Sequence, residues 1–149
     1  MAAGCDPYAI RVALADQIRA YISADINVYP NGRRNPANPS IQVLADSEYI
    51  SYIETFGAAG QGIMRLRLLI ETTATDDDSE FALISQLLSV GTNKGASVPD
   101  AVMSDRTLGG AVADCIVLFA SDPVEGDPDR PSGVTIPVQI VFSKIGAKV

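Results

Sequence analysis

The chain has 149 residues, of which 47% are hydrophobic and 19% charged, and its 11 basic and 18 acidic side chains give a formal charge of −7. This length and composition predict one folded domain spanning residues 1–149 and exclude a disordered chain. The negative charge argues against a basic surface that grips nucleic-acid phosphates, and the lack of histidine removes Ser-His-Asp and Cys-His catalysis and His-ligated zinc.

The spacing of the cysteines and the hydropathy of the chain further limit the kinds of site and the location that we expect. Cys5 and Cys115 stand far apart and match no metal-ligand or redox spacing, so we expect reduced, structural thiols. No apolar run approaches the roughly 20 residues needed to cross a bilayer. We therefore expect a soluble protein made in a cytoplasm, with no cofactor, no metal and no membrane partner.

The first third of the chain predicts a helix, a short strand and a long loop. Asp6 is a typical N-cap residue, and the apolar residues after it recur at helical spacing, which predicts an amphipathic helix ending near Asp25. Residues 26–29 predict a short strand that Pro30 stops. Residues 30–39, PNGRRNPANP, contain three prolines and predict an exposed, mobile loop.

The middle of the chain predicts strands. Residues 40–45 and 49–55 are typical of two short strands separated by the polar residues 46–48, and the glycine-rich residues 56–62 predict a turn. Strict alternation over residues 63–73 predicts a long central strand with one buried and one partly wet face. The buried face would carry Met64, Leu66, Leu68 and Ile70, and the other face Ile63, Arg65, Arg67, Leu69 and Glu71.

Two further helices are predicted next. Thr75 and the acids Asp76, Asp77 and Asp78 are typical of a helix N-terminus, where carboxylates satisfy free amides, and this helix would end near Gly91. A short helix is predicted over residues 98–104, with a proline in its first turn.

The stretch Asp105–Ala120, DRTLGGAVADCIVLFA, joins a polar turn to the most apolar run of the chain. Gly109 and Gly110 break the helical pattern and let the backbone turn. The run over residues 112–120 predicts a central strand, because strands buried on both faces are continuously apolar.

The last strand is predicted over residues 134–143, antiparallel to the one before it. Pro137 indicates a bulge or a sheet edge there, because proline cannot donate to a ladder. The predicted fold is α+β, a mixed, mainly antiparallel sheet with two main helices packed on one face.

Two acidic or glycine-rich segments invite comparison with known kinds of site. The loop carboxylates Asp122, Glu125, Asp127 and Asp129 depart from the spacing of a calcium loop, so a solvated loop is favoured. The glycines of residues 57–62 lack the GK[ST] of a phosphate loop.

Two arginine pairs are the clearest candidates for contacts. Arg33 and Arg34 lie in the proline-rich loop, and Arg65 and Arg67 project from one face of the predicted central strand. On an acidic chain they make either surface ion pairs or contacts with carboxylates of neighbouring copies, which guanidinium groups suit.

The order of elements and several motifs resemble the tail terminator proteins of long-tailed bacteriophages over nearly the whole chain. The motifs are NPANPSIQVLAD, YISYIETFGAAGQGIMRLRLLIE and VPDAVMSDRTLGGAVADCIVLF, which follow an N-terminal helix that ends before a short strand. None of them is a catalytic signature. The resemblance therefore rests on their order.

The resemblance implies a structural virion protein and no enzyme. It implies a hexameric ring at the head-proximal end of the tail tube, which ends tube polymerisation and offers a docking surface to the head-completion or connector proteins of the neck. Its partners would be itself, the major tail tube protein and these neck proteins. DNA would pass through without specific binding, and the protein would reside in the virion tail after assembly in the host cytoplasm.

The expected subunit or tube contacts are Arg33, Arg34, Phe56, Arg65 and Arg67. We also expect the loops over residues 30–39 and 56–62 to become ordered on contact, and the lumen of the ring to be net negative so that DNA is not held. Two alternatives stay open: another neck component of similar size, and a hydrolase using Asp105 and Asp114.

Overall fold

A computed structural model describes residues 6–51, 61–72, 77–90, 97–121 and 133–143. In chain order its elements are α1 (Pro7–Tyr21), β1 (Asn27–Tyr29), β2 (Ser40–Ser51), β3 (Gln61–Glu71), α2 (Asp77–Leu88), α3 (Val98–Met103), β4 (Asp114–Val117) and β5 (Gly133–Ser143). The strands form one sheet in the order β1-β2-β3-β5-β4, in which β1 runs parallel to β2 and the other neighbours are antiparallel. The predicted α+β class is confirmed.

Side-chain caps define where two helices start. The carboxylate of Asp6 accepts the amide of Tyr8 at 3.0 Å, and the hydroxyl of Ser97 accepts the amide of Asp100 at 3.1 Å. Helix α1 ends at Tyr21, earlier than predicted, because Ile22 is extended and the Ser23 hydroxyl accepts the amide of Asp25. Such local side-chain bonds compete with helix continuation.

The core lies between the helices and one face of the sheet. The alternation predicted for β3 is confirmed, since Met64, Leu66, Leu68 and Ile70 are buried and the residues between them are half-buried. All three helices add buried side chains to the same cluster: Ile10, Leu14 and Ile18 from α1, Ile84 and Leu87 from α2, and Val98, Ala101 and Val102 from α3. The prediction that the helices pack on one face of the sheet is confirmed.

The polar residues 46–48 form a bulge and not a strand break. Strand β2 continues from Ser40 to Ser51, and its pairing with β3 shifts between Ala45↔Leu66 and Ile50↔Met64. Four β2 residues therefore lie opposite one β3 residue, Arg65, and the left-handed backbone of Glu48, with φ of 53°, takes up the extra length. Predicting two strands was wrong because turn-forming residues mark bulges as well as loops.

The apolar run over residues 112–120 does not form a central strand. Strand β4 has only four residues, and among the described strands it pairs with β5 alone and lies at the edge of the sheet. Cys115 is buried, but Leu118 and Phe119 are 50% and 61% exposed. Composition misled the prediction because an apolar run does not reveal how many strands pair with it, and here the run continues past β4 into an exposed apolar patch.

Pro137 marks neither a bulge nor a sheet edge. Strand β5 lies between β3 and β4, and its register with β3 is unbroken from Gly133 to Ser143. The Pro137 carbonyl accepts the Leu118 amide at 3.1 Å, just past Val117, the last β4 residue in the ladder. The proline nitrogen therefore faces the side where β4 has ended and no ladder donor is needed.

Candidate interaction surface

The sheet face opposite the helices is half-apolar and half-buried, and we call it the open sheet face. It consists of Leu44, Ile63, Arg65, Arg67, Leu69, Ile116, Thr135, Pro137, Gln139 and Val141. Most of their neighbours along the strands are buried against the helices, whereas these residues keep partial access to solvent. A face of this composition is suited to contact with another protein, because apolar side chains alternate with groups that can pair.

Arg65 and Arg67 lie together on the open sheet face, as predicted, and the β2 bulge holds both. The Arg65 guanidinium reaches Glu48, with 3.4 Å from Nη1 to the carbonyl and 3.6 Å to the carboxylate Oε1. Arg67 Nε donates to the Ala45 carbonyl at 3.3 Å. The bulge thus turns backbone oxygens toward the two cations and fixes where they lie.

The loop over residues 30–39 packs back onto the same side of the sheet. The Arg33 amide donates to Gln42 Oε1 at 2.9 Å, and the Ala37 amide donates to the Tyr29 hydroxyl at 3.2 Å. A Cβ on Gly32 would come within 3.0 Å of Leu44 Cδ2, so the backbone approaches the sheet closely there. The loop is exposed at Gly32–Asn35, as expected, and these contacts tie it to β1 and β2. Its mobility and its ordering on contact with another subunit stay predictions.

The two arginine pairs therefore share one side of the molecule. Leu44, which touches the loop at Gly32, pairs directly with Arg67 across β2 and β3. Arg33 places its guanidinium carbon 4.9 Å from the centre of the Tyr29 ring, a cation–π contact. Arg34 is exposed and has no partner among the described residues. Phe56, the fifth predicted contact, lies outside the described residues, as do residues 57–60.

The acids proposed as a hydrolase pair have structural partners. The carboxylate of Asp105 accepts the Thr107 hydroxyl at 2.7 Å and amide at 3.0 Å and the Gly109 amide at 2.9 Å. These hydrogen bonds, chiefly the one from the Thr107 hydroxyl, lower the pKa of Asp105. Asp105 is therefore ionised at neutral pH and closes the turn in which Gly109 and Gly110 adopt φ of 72° and 92°.

Asp114 is paired with Arg106 in a bidentate contact. Both nitrogen-to-oxygen distances, from Nε and Nη2, are 2.7 Å, and this contact lowers the pKa of Asp114. An acid held ionised by a guanidinium is a poor proton donor. The geometry thus assigns both carboxylates to the stability of the turn between α3 and β4.

A shallow groove opens on the helix-covered side, between α1 and the turn after α3. It is lined by Ala13, Asp16, Gln17, Ala20, Tyr21, Ser104, Asp105, Leu108 and Gly109. Its volume is about 490 Å³, and its lining combines apolar side chains with two carboxylates, Asp16 and Asp105. We call it the α1–turn groove.

A second, apolar groove of about 340 Å³ lies at the end of β4. It is lined by Leu88, Val90, Pro99, Asp100, Met103, Val117, Phe119, Ala120 and Ile136. Val90 is 64% exposed at its rim. The apolar run that was predicted to be interior therefore contributes to the surface instead.

Two connecting side chains were not found by sequence reasoning. Arg11, on α1, donates to the carbonyls of Pro30 at 3.1 Å and Val43 at 2.7 Å, where β1 ends and leaves the β2 edge uncovered. Gln17 Nε2 lies within 3.1 Å of the carbonyls of Ala101, Val102 and Asp105 and so joins α1 to the end of α3. The one signal in the sequence for Arg11 and Gln17 is that each is a polar residue on the side of α1 that packs against the rest of the protein.

The part of the chain that the structure describes contains no group of three or more His, Cys, Asp or Glu side chains able to hold a metal ion. Within the same residues, no helix is long and apolar enough to cross a membrane. Comparison of the sequence with models of known protein families gives no match, and comparison with curated proteins gives none either.

Proposed function

We propose that this protein is a structural virion protein of a long-tailed bacteriophage, a tail terminator that forms a ring on the head-proximal end of the tail tube. The ring, a hexamer by the resemblance, ends tube polymerisation and gives the neck proteins a surface to dock on. The protein acts by contact and catalyses no reaction. It resides in the virion tail and assembles in the host cytoplasm.

The observation that carries this proposal is the open sheet face together with the order of elements. The long central strand from the motif YISYIETFGAAGQGIMRLRLLIE places Arg65 and Arg67 on a half-apolar sheet face. Protein–protein surfaces combine apolar area with well-positioned arginines in this way. Both pairs of predicted contact arginines lie on that side, which supports a role in assembly.

The charge of the chain supports the passage of DNA without binding. A formal charge of −7 gives a ring of six copies a strongly negative total, so DNA phosphates are repelled unless arginines are concentrated in the lumen. We propose a net-negative lumen, which requires Arg33, Arg34, Arg65 and Arg67 to face protein and not the channel.

The test is to locate the protein on tails. Purified protein added to tail tubes assembled from the major tube protein should bind one end of each tube as a ring in electron micrographs and stop further growth. Tubes that continue to lengthen at both ends in its presence would contradict the proposal. Recovery of the protein on heads, and never on tails that lack heads, would assign it instead to another neck component.

A further inference from the structure

Arg34 differs from every other cation in the described part of the chain. Arg11, Arg19, Arg33, Arg65, Arg67 and Arg106 each have a carbonyl, carboxylate or aromatic partner. Arg34 has none among the described residues, although the chain carries an excess of acids. An exposed arginine of this kind, on a chain of formal charge −7, is available to pair with another molecule.

The loop that carries Arg34 is already held in shape. The contacts of Arg33 with Gln42 and Tyr29, and of Ala37 with Tyr29, fix the backbone on both sides of Arg34. Asn27 Nδ2 also donates to the Ala37 carbonyl at 2.8 Å. These contacts lower the entropy cost of binding through the loop, because its backbone is already held in one conformation.

The α1–turn groove has the chemistry that an arginine side chain requires. Ala13, Ala20, Tyr21 and Leu108 provide apolar surface for an aliphatic stem, and Asp16 and Asp105 provide carboxylates for the guanidinium. Asp105 can hold the turn and also accept a guanidinium, because its Oδ2 accepts one hydrogen bond among the described residues, from the Gly109 amide. The side chain of Asp16 is 63% exposed, and its partner Arg19 contacts only Oδ1. Oδ2 of Asp16 keeps its capacity to accept further hydrogen bonds.

We propose that the Arg34 loop of one copy docks in the α1–turn groove of a neighbouring copy, with the Arg34 guanidinium beside Asp16 and Asp105. The inference rests on the proposed ring-forming function and names the contact between its subunits. Charge complementarity selects a second copy as the occupant: the loop presents a cation that pairs with no described residue of its own chain, and the groove presents the carboxylates of Asp16, which pairs with Arg19 through one oxygen, and Asp105.

The Arg34 loop and the α1–turn groove lie on different sides of the molecule, so the proposed contact joins unlike surfaces of two copies. The loop lies on the side of the open sheet face, and the groove lies between α1 and the turn after α3 on the helix-covered side. One neighbour cannot occupy both, so each copy gives its loop to one neighbour and receives the loop of another. This head-to-tail arrangement closes into a ring when the rotation between copies returns to the start, and otherwise extends as a filament.

Reciprocal charge reversal tests the contact. Arg34→Glu places like charges at the groove, and so does Asp16→Lys, so each variant alone should self-associate about tenfold or more weakly than the wild type. An equimolar mixture of the two should recover assembly. In the mixture the reversed loop of one variant meets the reversed groove of the other, and the loop and groove that stay unchanged also meet each other. Sedimentation velocity over a concentration series measures each case.

Controls separate this contact from general changes of charge or folding. Asp25→Lys makes the same change at an exposed acid outside the groove lining and should assemble as the wild type does. Circular dichroism should show each single variant to be folded. The double variant Arg34→Glu/Asp16→Lys should assemble without a partner.

Three outcomes would overturn the inference: a wild-type chain that stays monomeric at millimolar concentration, single variants that assemble normally, or a mixture that fails to assemble. A different result would show that the contact is right and the proposed function is wrong. In that case the charge variants follow the predicted pattern of self-association, but the assembled protein does not bind tail tubes.

Discussion

Arg106 and Asp114 form the best-aligned ion pair among the described residues, and they lie where the chain passes from the turn after α3 into β4. The guanidinium meets the carboxylate through two 2.7 Å contacts. The Asp114 Oδ1 atom also accepts the amide of Cys115 at 2.8 Å. The pair thus fixes the first residues of β4, an edge strand whose one neighbour among the described strands is β5.

We predict that Arg106→Ala raises the pKa of Asp114 toward its ordinary value. A carboxylate whose pKa is lowered on folding stabilises the fold above the unfolded pKa of about 4, and this contribution disappears as the pH falls through the folded pKa. Because the two side chains are 49% and 34% exposed, solvent screens the pair and the loss of stability at neutral pH should be small. Carboxyl NMR titration and urea unfolding at two pH values measure both effects.

The control for this variant is Arg19→Ala, which removes an ion pair on α1 and should leave the titration of Asp114 unchanged. An unaltered Asp114 titration in Arg106→Ala would show that the guanidinium is not the cause of the lowered pKa.

Cys115 is predicted to be chemically inert in the folded protein. Burial raises the pKa of its thiol to about 12, so almost no thiolate exists at neutral pH. Mass mapping after iodoacetamide treatment should find Cys115 unmodified in buffer and modified in denaturant. Rapid labelling of Cys115 in buffer would contradict its placement in the core.

At the scale of elements, β3 defines the two sides of the molecule. It pairs with β2 on one side and β5 on the other, so its even-numbered residues lie under the helices and its odd-numbered residues lie on the open sheet face. A single strand therefore contributes both the centre of the core and the arginines of the candidate surface.

We predict that Leu66→Ala destabilises the protein by about 2–5 kcal/mol, because the side chain is fully buried and its removal leaves a cavity. Leu69→Ala is the matched control: it changes the same residue type in the same strand on the half-buried open face and should cost clearly less. Urea unfolding gives both free energies. Equal losses would contradict the assignment of the two faces.

The alternation over residues 63–73 was sufficient to predict β3, because a period of two with one apolar face is typical of a half-buried strand and does not fit a helix. The edge position of β4 was not predictable from its composition, because the order of strands in a sheet depends on pairing between distant residues. In this sheet β5, and not β4, pairs with the central strand β3. The prediction of a strand break at residues 46–48 was wrong for a related reason: only the pairing with β3 distinguishes a bulge from a loop.

The candidate surface was predictable in part. The spacing of Arg65 and Arg67 correctly placed them on one face. Gly109 and Gly110 were also correctly predicted to let the backbone turn, since both adopt positive φ. Nothing in the sequence distinguishes Arg34 from Arg33. That difference arises because Tyr29 lies beneath one guanidinium and the other has no described neighbour to pair with.

At the scale of the whole molecule, charge is divided between two sides. Arg33, Arg34, Arg65 and Arg67 lie on the side of the open sheet face, where the nearby Glu48 and Glu71 carboxylates contact Arg65 and Gln42. The helix-covered side exposes Asp6, Asp16, Asp78 and Asp105, together with Arg19 and Arg106, which pair with Asp16 and Asp114. Copies stacked with the sheet side against the helix side would bring unlike charges together.

We predict that self-association of the wild-type protein weakens as salt is added, because the Debye length falls from about 10 Å at 0.1 M to about 3 Å at 1 M ionic strength. Sedimentation at low and high sodium chloride concentration checks this. Association that strengthens with salt would indicate apolar contacts, such as the groove beside Phe119, as the main source of affinity.

The two outer strands of the sheet are very short: β1 has three residues and β4 has four. A copy that added its own strand beside β1 or β4 would gain only a few backbone hydrogen bonds. The β2 edge beyond β1 is interrupted by the bulge at residues 46–48 and by Arg11, which occupies the Val43 carbonyl. The sheet therefore offers little template for an endless fibre of joined sheets. Growth by strand addition is therefore disfavoured. Contacts between loops and sheet or helix faces would instead set the number of copies in an assembly, and such contacts can form a closed ring.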